Sequence, residues 1–192
     1  MKKIILVSLF IVVILFTANK GFSMTPASIP DVYSLTFKDN KTLPDKMVYN
    51  GFGCEGGNLS PHLNWHGLKP EGTKSYAITI HDPDAPTTSG WWHWLVYNIP
   101  ADVNHIEEGA SKTANNKMPE GSLEAFTDYG TTGFGGACPP KGDIPHKYNI
   151  TIYALKVEKL KLDPKTTTGA KLTYMLNANS LGKVTLTGTY GR

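Results

Sequence analysis

The residues able to do chemistry crowd into two stretches. The first, HDPDAPTTSGWWHW, carries His81, Asp82, Asp84 and His93. Pro83 pushes Asp82 into the extended region and Pro86 restricts Ala85 in the same way, so the backbone between them is stiff. Two aspartates two positions apart on extended backbone can project to one side, where their carboxylates would not titrate independently. Histidines nearby, whose charge changes near neutrality, make such a cluster a candidate acid/base pair, metal shell or receptor for a charged ligand. The plainer alternative is a proline-stiffened turn whose aspartates only accept neighbouring backbone N–H groups. The second stretch, CPPKGDIPHKYNITIYAL, repeats the pattern with Cys138, Pro139, Pro140, His146 and Tyr148. Two strand entrances built from similar residue types suggest a shared pocket mouth.

Several chemistries lack their signatures. A metal-dependent hydrolase could draw ligands from His81, Asp82, Asp84, His93 and His146, but their spacing matches no H-E-x-x-H pattern, and this remains the weaker alternative. There is no G-x-S-x-G elbow, so a nucleophilic hydrolase is not indicated. The glycine run GFGGACPPKG lacks G-K-[ST], and its prolines have no N–H to offer a phosphate; it reads as a rigid rim. No catalytic residue and no cofactor is assigned.

The elements that would position these side chains are mostly strands. Runs rich in β-branched and aromatic residues recur at 33–37, 46–50, 75–81, 93–99, 147–155 and 183–190, bounded by Gly, Pro, Asn and Asp. In SYAITIH, Tyr76, Ile78 and Ile80 fall on one face and Ala77, Thr79 and His81 on the other. His93, between Trp92 and Trp94, either points outward with its neighbours buried or lies in an aromatic pocket. One helix is expected within TTTGAKLTYMLNANSLG, with Leu172, Met175, Leu176 and Asn179 on one face, threonines as N-cap and Gly182 as stop. The stretch 101–145 is poor in strand formers, and its second half reads as pocket wall. The trailing TGTYGR reads as the end of a last strand. The whole is an all-β chain with minor α content, largely antiparallel, in one domain spanning 24–192.

The chain opens with Lys2 and Lys3, an apolar run from Ile4 to Phe16, and small and polar residues to Ser23. Residues 1–23 read as a cleavable signal peptide, because a run of about 13 residues is short of the roughly 20 that span a bilayer. The formal charge of +3 disappears with it, since the leader holds three lysines and no acid. No basic cluster with interleaved aromatics remains for nucleic acid, and no stable membrane insertion is expected. The expected location is periplasmic or secreted. In an oxidising compartment, an even pair of cysteines favours a Cys54–Cys138 disulfide, worth as much as about 4 to 5 kcal/mol in the chain-entropy model. The alternative is two buried thiols.

The segments SPHLNW (60–65), HDPDAP (81–86), WWHWLVYNIP (91–100) and CPPKGDIPHKYNITIYAL (138–155) resemble, in order and spacing, the signature regions of the phosphatidylethanolamine-binding protein family. The resemblance is to its bacterial Raf-kinase-inhibitor-like branch, in its exported, cysteine-containing form. It implies an antiparallel β-sandwich with Greek-key connections, a C-terminal helix and short peripheral helices. It also implies an anion pocket formed by Asp82, Asp84, Pro86, His93, Pro139, Pro140, His146 and Tyr148, and a non-proline cis peptide near Ser89 and Gly90. Asn179 stands where many bacterial relatives have a pocket-lining histidine.

Such a pocket sets aspartates beside an anion, which requires protonation: cationic imidazoles or a protonated carboxyl supplying donors. The expected ligand is a small phosphate or phosphoethanolamine-like anion, bound more tightly as pH falls. A zwitterionic head group would suit it by charge complementarity. The alternative of another class is a secreted interaction or inhibitor module, with loop aromatics Tyr33, Phe52, Tyr129 and Phe134 as contacts and an incidental pocket.

Overall fold

The computed structural model describes residues 29–111 and 117–192. The expected signal peptide therefore lies outside the described residues. In chain order the elements are β1 (Asp31–Tyr33), β2 (Lys41–Thr42), β3 (Asn50–Gly51), β4 (Cys54–Glu55), β5 (Leu63–His66), β6 (Ser75–Asp82), β7 (Trp91–Pro100), β8 (His105–Ile106), β9 (Leu123–Glu124), β10 (His146–Leu155), α1 (Gly169–Asn179) and β11 (Ser180–Tyr190).

A six-stranded sheet runs β2-β11-β10-β6-β7-β9, antiparallel except where β2 joins β11 in parallel. A three-stranded sheet, β1-β5-β8, and the β3-β4 hairpin complete the β structure. The main core contains Tyr76, Ile78 and Ile80 of β6, Trp94 and Val96 of β7, and Tyr148, Ile150 and Ile152 of β10, together with Leu63 and Trp65 of β5. The period of two places these β6 residues on one face, as their alternation requires. The opposite face is also covered: Ala77, Leu95, Tyr97 and Tyr153 pack with Leu172 and Leu176 of α1. Central strands buried on both sides explain why apolar residues occupy both phases of β6 and β7.

Helix α1 starts as expected, with Thr168 Oγ1 accepting from Lys171 N at 3.3 Å. It does not stop at Gly182. Ser180 is already extended (φ −72°, ψ 133°) and the helix passes directly into β11, where Gly182 pairs with Ala154.

Two of the expected strands differ. In 33–37 only Tyr33 is strand, because Ser34 turns its hydroxyl onto the His62 carbonyl (2.6 Å) and the chain bends away. In 46–50, Asp45–Met47 form a 3-10 turn after Pro44. The glycine-rich segment after β4 then takes the local carbonyls, Gly57 N on Asp45 O and Asn58 N on Val48 O. The peptide expected to be cis near Ser89 and Gly90 is trans, and there is no cis bond among the described residues; Gly90 instead takes a positive φ of 68°. A Cβ there would strike the Asp82 carbonyl, so only glycine lets the turn fold back on β6.

Candidate functional site

At one end of the large sheet, β6, β7 and β10 present Asp82, His93, His146 and Tyr148 to a cavity of about 210 Å3. Strand alternation explains three of them. Asp82 continues the core face of Tyr76, Ile78 and Ile80, while His146 and Tyr148 continue that of Ile150 and Ile152. His93 reaches the same face through an irregularity: Ile80 pairs with Trp94 and His81 with Trp92, leaving His93 as an extra residue between them. A bulge re-aims a side chain in this way. His93 and its neighbour Trp94 thus both face the main core, and Trp92 turns to the opposite face, where it stacks on His81 at 4.0 Å.

The polar groups are almost fully enclosed, with His93, Asp82, His146 and Tyr148 each 2–3% exposed. Asp82 is completely engaged. Its Oδ1 accepts from Asp84 N (2.8 Å) and Ala85 N (3.0 Å), and its Oδ2 accepts from His146 Nδ1 (2.8 Å). The other nitrogen of His146 lies 3.4 Å from Asp143 Oδ2.

His93 is placed differently. Its Nδ1 lies 2.9 Å from Gly135 O and 3.2 Å from Gly136 O. Carbonyls only accept, so Nδ1 carries the proton and Nε2 holds the lone pair. That Nε2 is buried without a partner among the described residues, and so is the Tyr148 hydroxyl. Burial depresses the His93 pKa to about 4, against the smaller opposing pull of the Gly135 carbonyl and the Asp82 charge. His93 is therefore neutral at physiological pH, which corrects the expectation of cationic imidazoles at that position. Burial and the Asp82 charge push the Tyr148 hydroxyl far up, so it keeps its proton as a donor.

The glycines of the rim permit this approach. A Cβ on Gly135 would enter the Tyr129 ring and one on Gly136 would strike the Met47 carbonyl, so a side chain at either position would push the segment off His93. Tyr129 donates to Gly136 O (2.7 Å) and sets its ring edge-on to His93 at 5.5 Å. The second half of 101–145 is thus wall, as expected: Tyr129, Cys138, Pro139 and Pro140 all line the cavity. Cys54 and Cys138 are joined in a disulfide with Cα atoms 6.0 Å apart.

Of the eight expected site residues, seven line the cavity, Pro86 included; Asp84 does not. Its Oδ2 accepts from Lys147 N at 2.8 Å and the residue is exposed, because the chain bends at Pro83 and turns the second carboxylate toward the β10 backbone. The pair of acids in one hollow is therefore a single acid, Asp82. Asn179 also lies away from the cavity, its side chain donating to Met175 O within α1. Sequence reasoning assigned no pocket role to Thr87, Ala85 or Phe52, which line the cavity, or to Arg192, which braces its rim. Arg192 donates to the carbonyls of Pro139 (2.7 Å), Gly53 (2.8 Å) and Phe52 (3.3 Å). It is the only arginine of the chain. Phe134, an expected contact residue, is buried in the main core. No group of three or more His, Cys, Asp or Glu able to hold a metal forms among the described residues. No described helix is long and apolar enough to cross a membrane.

The fold agrees with that of similar proteins in other organisms. The model of the family described as phosphatidylethanolamine-binding protein matches residues 33–191. The UPF0098 protein YbcL of Escherichia coli strain K12 is 46% identical over 188 residues, 98% of each chain. YbhB of the same organism is 42% identical over 153 residues, covering 80% of this chain and 94% of that one. The crystal structure of E. coli YbcL, described as a new member of the mammalian PEBP family, superposes with a TM-score of 0.82 at 49% identity, covering 85% of this chain and 98% of that one. A Chlamydia trachomatis homologue described as a putative phosphatidylethanolamine-binding protein gives 0.69 at 27% identity, covering 85% and 97%. The chain belongs to the phosphatidylethanolamine-binding protein family.

Proposed function

We propose that the protein binds a small phosphate-bearing ligand, a phosphate or a phosphate monoester, in the cavity between β6, β7 and β10, and that it does so as an exported protein after loss of residues 1–23. One observation carries this reading: His93 Nε2 and the Tyr148 hydroxyl are buried, adjacent to a solvent-open cavity, and unpartnered. Their rings meet edge-on at 5.1 Å. Idle buried polar groups are expensive, and a ligand that pairs both recovers that cost.

A singly protonated phosphate matches them. Its P–O–H donates to the His93 lone pair while a second oxygen accepts from Tyr148. The proton comes with the ligand, which removes the difficulty of placing an anion near Asp82, whose own charge is shared among two backbone N–H groups and an imidazole. At lower pH the bound anion also draws a proton onto His93 from its depressed starting point of about 4. Both effects tighten binding as pH falls from about 7.5 to about 5.5, the range in which a phosphomonoester dianion takes up a single proton. The proposed role is binding, with the Tyr148 hydroxyl, its pKa raised by burial, keeping its proton to serve as a donor.

Titration with inorganic phosphate, followed by the NMR ring signals of His93 and His146, tests this. Both should shift, with a several-fold tighter dissociation constant at the lower pH. An unchanged constant across the two pH values would reject the shared-proton account, and no shift of His93 would reject the site.

A further inference from the structure

Resting on that reading, we propose that Phe52 is a specificity-determining residue, an aromatic lip that selects phosphate monoesters whose organic part is apolar and planar over those with a small charged head. Four observations converge on it.

Phe52 and Gly53 are the two loop residues of the β3-β4 hairpin, in which Gly51 pairs with Cys54. Both have positive φ, 53° and 77°. That is the pattern of a tight type I′ turn, whose first central position belongs to asparagine, aspartate or glycine. A phenylalanine in left-handed backbone is strained, and local strain of this kind persists only where the surroundings impose it and clusters at ligand sites.

The surroundings here impose it twice. The Cys54–Cys138 bond ties the hairpin to the proline rim. Arg192 clamps the carbonyls of Phe52 and Gly53 on one side and of Pro139 on the other. Arg192 grips the hairpin through its backbone carbonyls.

The ring lines the cavity and yet is 68% exposed. It belongs to a three-ring cluster, near-parallel to Tyr129 at 5.8 Å and tilted against Tyr49 at 5.4 Å, with Tyr129 against Tyr49 at 4.2 Å. Its outer face is free to cover a ligand group.

The cavity then defines the rest of the ligand. Its roughly 210 Å3 equals the liquid volume of about seven waters, more than a bare phosphate fills. Beyond the polar cluster the wall is Phe52, Pro86, Trp91, Pro139 and Pro140. Asp82 is the one acid in that wall, and both its oxygens are taken. An ammonium finds there only a carboxylate already bonded at both oxygens, whereas a flat apolar group finds aromatic and proline surface.

The test compares inorganic phosphate, phosphoethanolamine, phosphocholine and phenyl phosphate by calorimetry at about pH 6, in the wild type and in Phe52→Asn. Asparagine suits the left-handed position, so this variant should fold with an unchanged or higher Tm. Phenyl phosphate should bind wild type about ten-fold more tightly than phosphoethanolamine, the scale of one aromatic stack. In Phe52→Asn that preference should fall to within about three-fold, with the loss falling on phenyl phosphate. If phosphoethanolamine or phosphocholine equals or exceeds phenyl phosphate, or if Phe52→Asn keeps the preference, the lip is wrong although the phosphate site stands. If none of the four binds a folded wild type, the phosphate reading falls and the lip with it.

Discussion

His93 and Trp94 are consecutive, face the same core and are both buried, yet their polar atoms are treated in opposite ways. Trp94 Nε1 donates to Glu124 Oε1 (2.6 Å), and the Ser111 hydroxyl donates to the same oxygen (2.5 Å) while accepting from Phe134 N (2.8 Å). Every member of that cluster is paired within the protein. One position earlier, His93 uses one nitrogen and leaves the other idle, beside an idle tyrosine hydroxyl. The first arrangement holds loops to the sheet; the second forgoes stability of about 1 to 3 kcal/mol per group, which a ligand could return. What differs is the access to solvent through the cavity, not the residue types.

The sharpest way to test this contrast is acid. The folded state holds His93 at about pKa 4, whereas the unfolded chain takes up a proton near 6.5. The unfolded state therefore binds protons first as pH falls, and this contribution to stability, full above about 6.5, is lost on the way down to about 4. The loss should be on the order of 3 kcal/mol in urea titrations, and His93→Gln should flatten the slope over that window. An identical slope in the variant would mean that His93 is not held neutral.

A smaller effect is expected from the paired cluster. Glu124→Ala strands the Trp94 indole N–H and should cost about 2 kcal/mol in chemical denaturation, with phosphate affinity unchanged. Weakened binding without lost stability would reverse the roles assigned to the two clusters.

The least perturbing change is Tyr148→Phe. Because its hydroxyl has no internal partner, removal should alter stability by less than about 1 kcal/mol, upward if at all. Phosphate affinity should nevertheless fall about ten-fold, the worth of one hydrogen bond to a charged group. Measuring Tm and affinity on the same sample separates the two consequences.

Much of the site was legible because strand alternation is local. Once 75–81 and 147–155 read as strands, Tyr148 had to share a face with Ile150 and Ile152, and the proline-rich segments before them had to form a mouth. The cysteine pair was legible from an even count and the expected export of the chain. Asp84 was not, since a two-residue offset implies a shared side only while backbone stays extended, and here Asp82 captures the Asp84 N–H and bends it. Phe52 and Arg192 were not, because their roles depend on three segments distant in sequence meeting at one rim.

The sequence alone determined the β-rich class, the alternating core faces, the helix start at Thr168 and the residue types gathered at the cavity, because each follows from short-range periodicity, capping or composition. Tertiary structure alone decided which nitrogen of His93 is idle, which aspartate faces the cavity and which aromatic rings line its mouth. The reason is physical: a single extra residue in β7 inverts the face of everything next to it, and only pairing with β6 shows where that residue falls.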